Sequence, residues 1–452
     1  MKTSTTRFGA RLCASLIATV MVLLSFTSCG SKGKALITLD KDGYKVSISV
    51  NQYAFLLSRW KGALVTNSVT NNGKNAEQDA FYDLKDKFNG TDLQTLSEYY
   101  ADMILDNCRT YVAVLWLFES MNLSLSESQT KEIDQRMDDI LQAYGGSKTK
   151  LNAFLSSYGV NYSLLREMYL MEAKVIAVQN ALYGSEGSNL GTEVKQEFLT
   201  TNYAHFKQIF LPYFNYVYKT DENGDEIYYL KESTMAKIAY DTSINSYKSD
   251  KFDANGDYIY YTSSLMDHIA YNKDESVSTR SYVLDASGEA TVTDMTAEER
   301  EAVKKKGDEL LASLANCTVA EFEAAIEKES EDGGVTVYTD GYYLQKNIDY
   351  AAAGSEFSYF SDIISRMEQM QIGEIAAIKT DNAGYHIIMK YEHTPQAYEL
   401  AENEVWFKNF TTDLMDELFM ETCRALFPEM KLHDKVWAKA PDIKEIGVNT
   451  DF

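Results

Sequence analysis

Gly373-Glu374-Ile375, Ile378-Lys379-Thr380 and Gly384-Tyr385-His386-Ile387-Ile388 lie in one run towards the end of the chain. They read as a hairpin whose second, apolar strand carries a histidine. Taken alone, such a histidine reads as a satisfied core residue, so its neighbours must decide its role. Working back, Thr318 and Glu321 form a capping box, and Glu321-Phe322 through Glu329-Ser330-Glu331-Asp332-Gly333-Gly334 reads as a short helix and the turn after it. Gly341-Tyr342-Tyr343 follows as a strand, and Thr296 and Glu299 cap an earlier helix carrying Val303, Leu310, Leu311 and Leu314. Earlier still, an amphipathic segment from Glu193 to Phe198 leads into the strand Phe206-Lys207-Gln208-Ile209-Phe210-Leu211.

These blocks, in this order, resemble a parvulin-type peptidyl-prolyl isomerase over about residues 193 to 392, interrupted by an insertion. The resemblance implies an α+β chain in which a small antiparallel sheet with flanking helices accompanies a mainly helical chaperone-like domain. It also implies an enzyme that turns X-Pro bonds without cofactor or metal. By motif, His386 is the second family histidine, Thr380 lies near the hydroxyl position, and Glu329 or Ser330 lies near the cysteine or aspartate position. Ile348, Phe357, Phe360 and Met370 are candidate walls of the proline pocket, with Tyr343 beside them. Asn382 or Ala383 reads as an extra residue in the last turn.

One position departs from the family. Gln208 stands where the first strand usually places histidine, and His205 is nearby but off register. Two functions follow. The first is an active isomerase, since glutamine both donates and accepts hydrogen bonds and the reaction needs no proton abstraction. The second is a chaperone that keeps the fold and binds unfolded clients without turnover. His268, His393 and His433 lack a comparable context and read as surface or structural residues.

The start of the chain addresses location. Lys2, Arg7 and Arg11 precede an apolar run from Ala14 to Phe26, which reads as a signal peptide over residues 1–28. Phe26-Thr27-Ser28-Cys29-Gly30 resembles a bacterial lipobox, with Phe26 in place of the usual Leu or Val. It implies an extracytoplasmic protein anchored to a membrane by lipid on Cys29, with residues 29–34 as a flexible tether. The other reading is an ordinary cleaved signal with an incidental cysteine.

Composition narrows the partners. Removing the three basic residues of the signal takes the net charge from -24 to -27, which argues against nucleic acid. Of five cysteines, Cys108, Cys317 and Cys423 remain after the signal and anchor, without metal-type spacing, and read as buried thiols. The expected partners are unfolded or newly exported proline-containing polypeptides.

Residues 35–192 read as a helical N-terminal domain, opened by a hairpin of Leu36–Asp40 and Tyr44–Val50. A central helix spans Thr95 to Met121, Ser126 and Gln129 cap the next, and Ser163 to Tyr183 form another. Its Met and aromatic residues at helical spacing read as core. The isomerase-like domain takes residues 193–395, with an insertion at 212–295. Residues 396–452 form a helical segment expected to pack back on the N-terminal domain, on the periodicity of Trp406, Phe407, Phe410, Leu414, Leu418 and Phe419.

In the insertion, the run from Lys219 to Tyr229 matches that from Lys251 to Tyr261, with Asn-Gly turns between Tyr-rich segments. Asp221, Asn223, Asp225 and Glu232 suggest a calcium loop, but Gly224 comes two positions too early for one, so hairpin turns are the expectation. The tyrosines are expected to enlarge a client-binding surface beside the isomerase cleft.

Overall fold

The computed structural model describes residues 33–452 apart from 89–91, 221–223, 225–227, 231–238, 242–245, 253–257, 262–277, 281, 288–289, 349, 351–357 and 382. Residues 1–28 of the signal-peptide reading, Cys29, Phe357 and the carboxylates of the calcium-loop reading therefore lie outside the described residues. The chain is α+β and divides into two compact units. One comprises residues up to 203, 345–355 and 393–452, and the other 204–344 and 356–392.

The first unit opens on an antiparallel hairpin, Ala35–Lys41 with Tyr44–Ser49, in which Leu39 faces Val46. Asp42 and Gly43 both take positive φ, 51° and 84°, as a two-residue turn between twisted strands requires. Lys431–Leu432 adds a third strand, with Leu432 opposite Ile37. Ser49 and Gln52 close a capping box that starts the helix Val50–Thr66.

The helix Leu96–Ser120 carries the centre of this unit, burying Ile104, Cys108, Tyr111, Val112 and Leu115. Thr95 and Glu98 cap it reciprocally. Ser126 and Gln129 do the same for Glu127–Ala143, and Tyr162–Tyr183 stops at Gly184. Cys108 and Cys423 are buried free thiols, and Cys317 is half-buried.

Residues 393–452 belong to this unit, and Phe419, Cys423 and Leu426 enter its core. The regular helix here is Phe410–Arg424, shorter than the aromatic spacing suggests. Before it the chain makes the 3₁₀ turns Ala397–Glu399 and Ala401–Asn403. Asn403 donates its side-chain amide to the Ala397 carbonyl, and Tyr398 stacks on Phe410 at 4.6 Å. The aromatics meet because the chain folds back, which periodicity alone mimics.

The second unit is built on a four-stranded sheet in the order Tyr342–Gln345, Tyr203–Pro212, Gly384–Lys390, Ile375–Lys379. In its central antiparallel pair His386 faces Phe210, and Ile388 faces Gln208. Strand alternation then sorts the sheet into two faces. Ile209, Leu211, Tyr385, Ile387 and Met389 share a core with Leu314, Phe322 and Ile326, from around the helices Ala297–Ser313 and Val319–Glu329. The opposite face carries His386, Gln208 and Phe210.

Candidate active site

His386 is 1% exposed, although its strand is apolar on both sides. Its ring lies between two others, Phe210 at 4.6 Å and Tyr359 at 4.8 Å, with interplanar angles of 27° and 21°. Phe210 is its cross-strand partner, and Tyr359 comes from the helix Ser358–Met367. Burial drives the imidazole pKa down to about 4, so the ring is neutral at pH 7.

Hydrogen bonds decide which nitrogen holds the proton. Gln208, diagonal to His386 on the same face, donates its amide to Asp332 Oδ2 at 2.8 Å. A carboxylate accepts only, so the amide nitrogen must point at Asp332 and the amide oxygen at His386. That oxygen lies 3.0 Å from His386 Nδ1, which is therefore the protonated nitrogen. Nε2 is left as a bare acceptor, buried and without a partner among the described residues.

Asp332 is itself held from other directions. Tyr342 donates its hydroxyl to Oδ2 at 2.6 Å, and the Gly334 amide donates to Oδ1 at 2.8 Å. Burial and the adjacent carboxylate push the Tyr342 hydroxyl far above the ordinary phenol value, and Tyr359 up to about 12, so both stay protonated. A relay of donors and acceptors thus runs from Tyr342 through Asp332 and Gln208 to His386, ending on an unfilled lone pair between two aromatic faces.

The remaining sequence candidates fall in several places. Ser330 sits behind the relay: its hydroxyl accepts from the backbone N–H of Phe210 at 3.0 Å and of Asp332 at 3.2 Å. Glu329 turns away, to Lys306 at 3.1 Å and Lys328 at 2.9 Å, and these cations hold its carboxyl below the ordinary range. Thr380 is a turn staple, its hydroxyl accepting from the Gly384 N–H at 2.8 Å and the Ala383 N–H at 3.1 Å. It makes no bond to His386.

Tyr343 points to the other face of its strand, donates to Asp340 at 2.7 Å and stacks on His205 at 4.2 Å. His205 is correspondingly structural, both ring nitrogens lying 2.7 Å from backbone carbonyls, of Glu392 and Asp340. The relay uses Tyr342, one residue earlier, because a shift of one position reverses the face. Phe360 and Met370 are buried in the second unit, and Ile348 belongs to the first. Phe357 is outside the described residues.

Sequence reasoning missed Asp332, Tyr342, Phe210 and Tyr359. A signal for the first was available, since an Asp before Gly-Gly caps its own turn and so holds its carboxylate against the chain. Among the described residues no cluster of His, Cys, Asp or Glu is arranged to hold a metal, and no helix is long and apolar enough to cross a membrane.

No protein-family model and no curated protein matches the chain. Among solved structures it is similar to PrsA from Bacillus subtilis, at 14% identity over 77% of this chain and 90% of that one, with a TM-score of 0.19. It is also similar to the foldase protein PrsA from Streptococcus pneumoniae, at 11% identity over 79% of this chain and 99% of that one, with a TM-score of 0.19.

Proposed function

We propose that the protein is an extracytoplasmic foldase whose second unit turns X-Pro peptide bonds in exported polypeptides. The observation that carries this reading is the neutral, aromatic-sandwiched His386, with an unfilled acceptor at Nε2 and a relay fixing its tautomer. Rotation about a peptide bond costs ~18–20 kcal/mol because twisting removes amide resonance. The planar amide is the more charge-separated form, so transfer from water to an apolar site favours the twisted one. Phe210 and Tyr359, both half-buried, supply that surface, and the relay keeps the imidazole behind them neutral, so the rotation needs no proton to move.

Location and partners belong to the same proposal. The basic start, apolar run and Cys29 support export and lipid anchoring, which would hold the foldase where unfolded, proline-containing chains emerge. Slow prolyl bonds limit the folding of such clients on a scale of roughly 10–100 s.

The test is a prolyl isomerisation assay on a short peptide with the wild type, His386→Ala and His386→Gln. Acceleration by the wild type that both substitutions remove is the expected result. A wild-type rate equal to the uncatalysed one would leave a client-binding chaperone in its place.

A further inference from the structure

Residues 441–452 cross the first unit without forming a helix or strand, yet Ile443, Ile446, Asn449 and Phe452 are all buried. The way they are held resembles the way a groove holds a peptide. Lys61, on the helix Val50–Thr66, donates its ammonium to the Ile446 carbonyl at 2.9 Å and the Lys444 carbonyl at 3.4 Å. Two residues earlier on the same helix, Arg59 donates to the main-chain oxygen of Phe452. The Gly447 and Asn449 amides donate to the carbonyls of Ser157 and Ser58, each at 3.2 Å.

Main-chain carbonyls and amides are common to every polypeptide, so this part of the grip is indifferent to sequence. Selectivity comes from apolar sockets. The Phe452 ring fits among Tyr144, Phe154 and Tyr158 at 5.3, 6.1 and 6.3 Å. The floor is cut for a backbone: a Cβ on Gly62 would lie 1.8 Å from the Asn449 carbonyl oxygen.

Emptying the groove leaves no stranded charge. The Lys61 ammonium is desolvated under the segment, which lowers its pKa, and would be hydrated without it. Release exposes the apolar area of Ile443, Ile446 and Phe452 and opens the ion pair of Lys444 with Asp83 at 2.9 Å and the hydrogen bond from Ser97 to Asp442 at 2.7 Å.

We propose that this groove is a binding site for extended polypeptide, filled at rest by residues 441–452. Its partner is an unfolded chain presenting aliphatic side chains three residues apart, as Ile443 and Ile446 do, with an aromatic further on. The foldase reading enters only in naming the partner as a client; the groove itself is argued from the first unit alone.

The experiment uses the full chain. A labelled peptide with the sequence of residues 441–452 is titrated into the wild type, the double variant Ile446→Ala/Phe452→Ala, and that variant carrying Gly62→Ala. Fluorescence anisotropy is expected to show at least tenfold tighter binding to the double variant than to the wild type. Gly62→Ala should remove the gain, and all three proteins should melt cooperatively. Loss of the cooperative melt in the double variant, a folded double variant with no gain, or a gain that survives Gly62→Ala each overturns the proposal. Isomerisation of a short peptide by the double variant should stay at the wild-type rate, so failure of the groove is distinguishable from failure of the isomerase reading.

Discussion

The amide of Gln208 donates to Asp332 across 2.8 Å, and this bond fixes the proton of a third residue, His386, on Nδ1. Gln208 therefore sets the direction of the hydrogen bonds on either side of it. Glutamine does so with an amide whose two ends differ, provided that an acceptor-only group holds one end.

Asp332→Asn tests that condition. An asparagine offers Gln208 either a donor or an acceptor, and the amide is no longer forced to turn its oxygen to His386. About a tenfold loss in kcat/KM for peptide isomerisation is expected, with nitrogen NMR showing His386 distributed over both tautomers. Glu329→Ala, which removes only ion pairs to Lys306 and Lys328, should leave the rate within about twofold.

Gln208→His should be tolerated. A neutral imidazole can donate from one nitrogen to Asp332 and accept at the other from His386, preserving the order of donors and acceptors. Gln208→Leu fills similar space without either function, strands the His386 Nδ1–H and takes one of the two described donors from Asp332 Oδ2. A loss of roughly 1–3 kcal/mol in urea unfolding, together with loss of turnover, is expected for Leu alone.

Tyr342→Phe removes one donor from Asp332 while leaving the ring, which stacks on Phe206 at 5.2 Å. Roughly 1–3 kcal/mol of stability should be lost, because the bond is to a charged acceptor. Tyr343→Phe is its control on the opposite face and should leave isomerisation unchanged.

Acidification should weaken the fold through His386. Its pKa falls from an ordinary 6.5 to about 4 on folding, so between these values the unfolded chain binds more protons. The contribution is fully present above about pH 6.5 and is lost as pH falls towards 4, amounting to roughly 3 kcal/mol. Urea unfolding at a series of pH values should show a shallower slope in His386→Gln than in the wild type across this window. His205, also depressed by burial, contributes to both proteins alike and cancels in the comparison.

Features governed by near neighbours were the legible ones. The boxes Ser126/Gln129, Thr296/Glu299 and Thr318/Glu321 each close on residues three apart, and all three were visible in the sequence. The His386 hairpin was visible because its alternation and turn are local. The relay was only half visible: His386 and Gln208 were identified, but its acidic member was sought at Glu329 or Ser330, not at Asp332. The turn there places its carboxylate by a backbone bond to Gly334 that no periodicity reveals. Tyr343 reads from the sequence as a neighbour of the pocket, but adjacent tyrosines in a strand differ only in face, and that face is set by a partner strand more than a hundred residues away. The regular helix begins only at Phe410, although Phe407 stands at helical spacing from it: the two rings meet edge to face at 5.5 Å across a turn, which periodicity does not distinguish from a helix.

The pairing of Ile37 with Leu432 bears on the order in which the protein is made. The first unit takes its opening strand from one end of the sequence and that strand's neighbour from the other, whereas the sheet around His386 is complete once residue 390 has appeared. In a chain delivered from its N-terminus, the second unit can therefore close while the hairpin at Ala35–Ser49 still waits for its third strand. Until then the first unit lacks a strand of its own sheet, itself an unfinished polypeptide in the company of those it is proposed to serve.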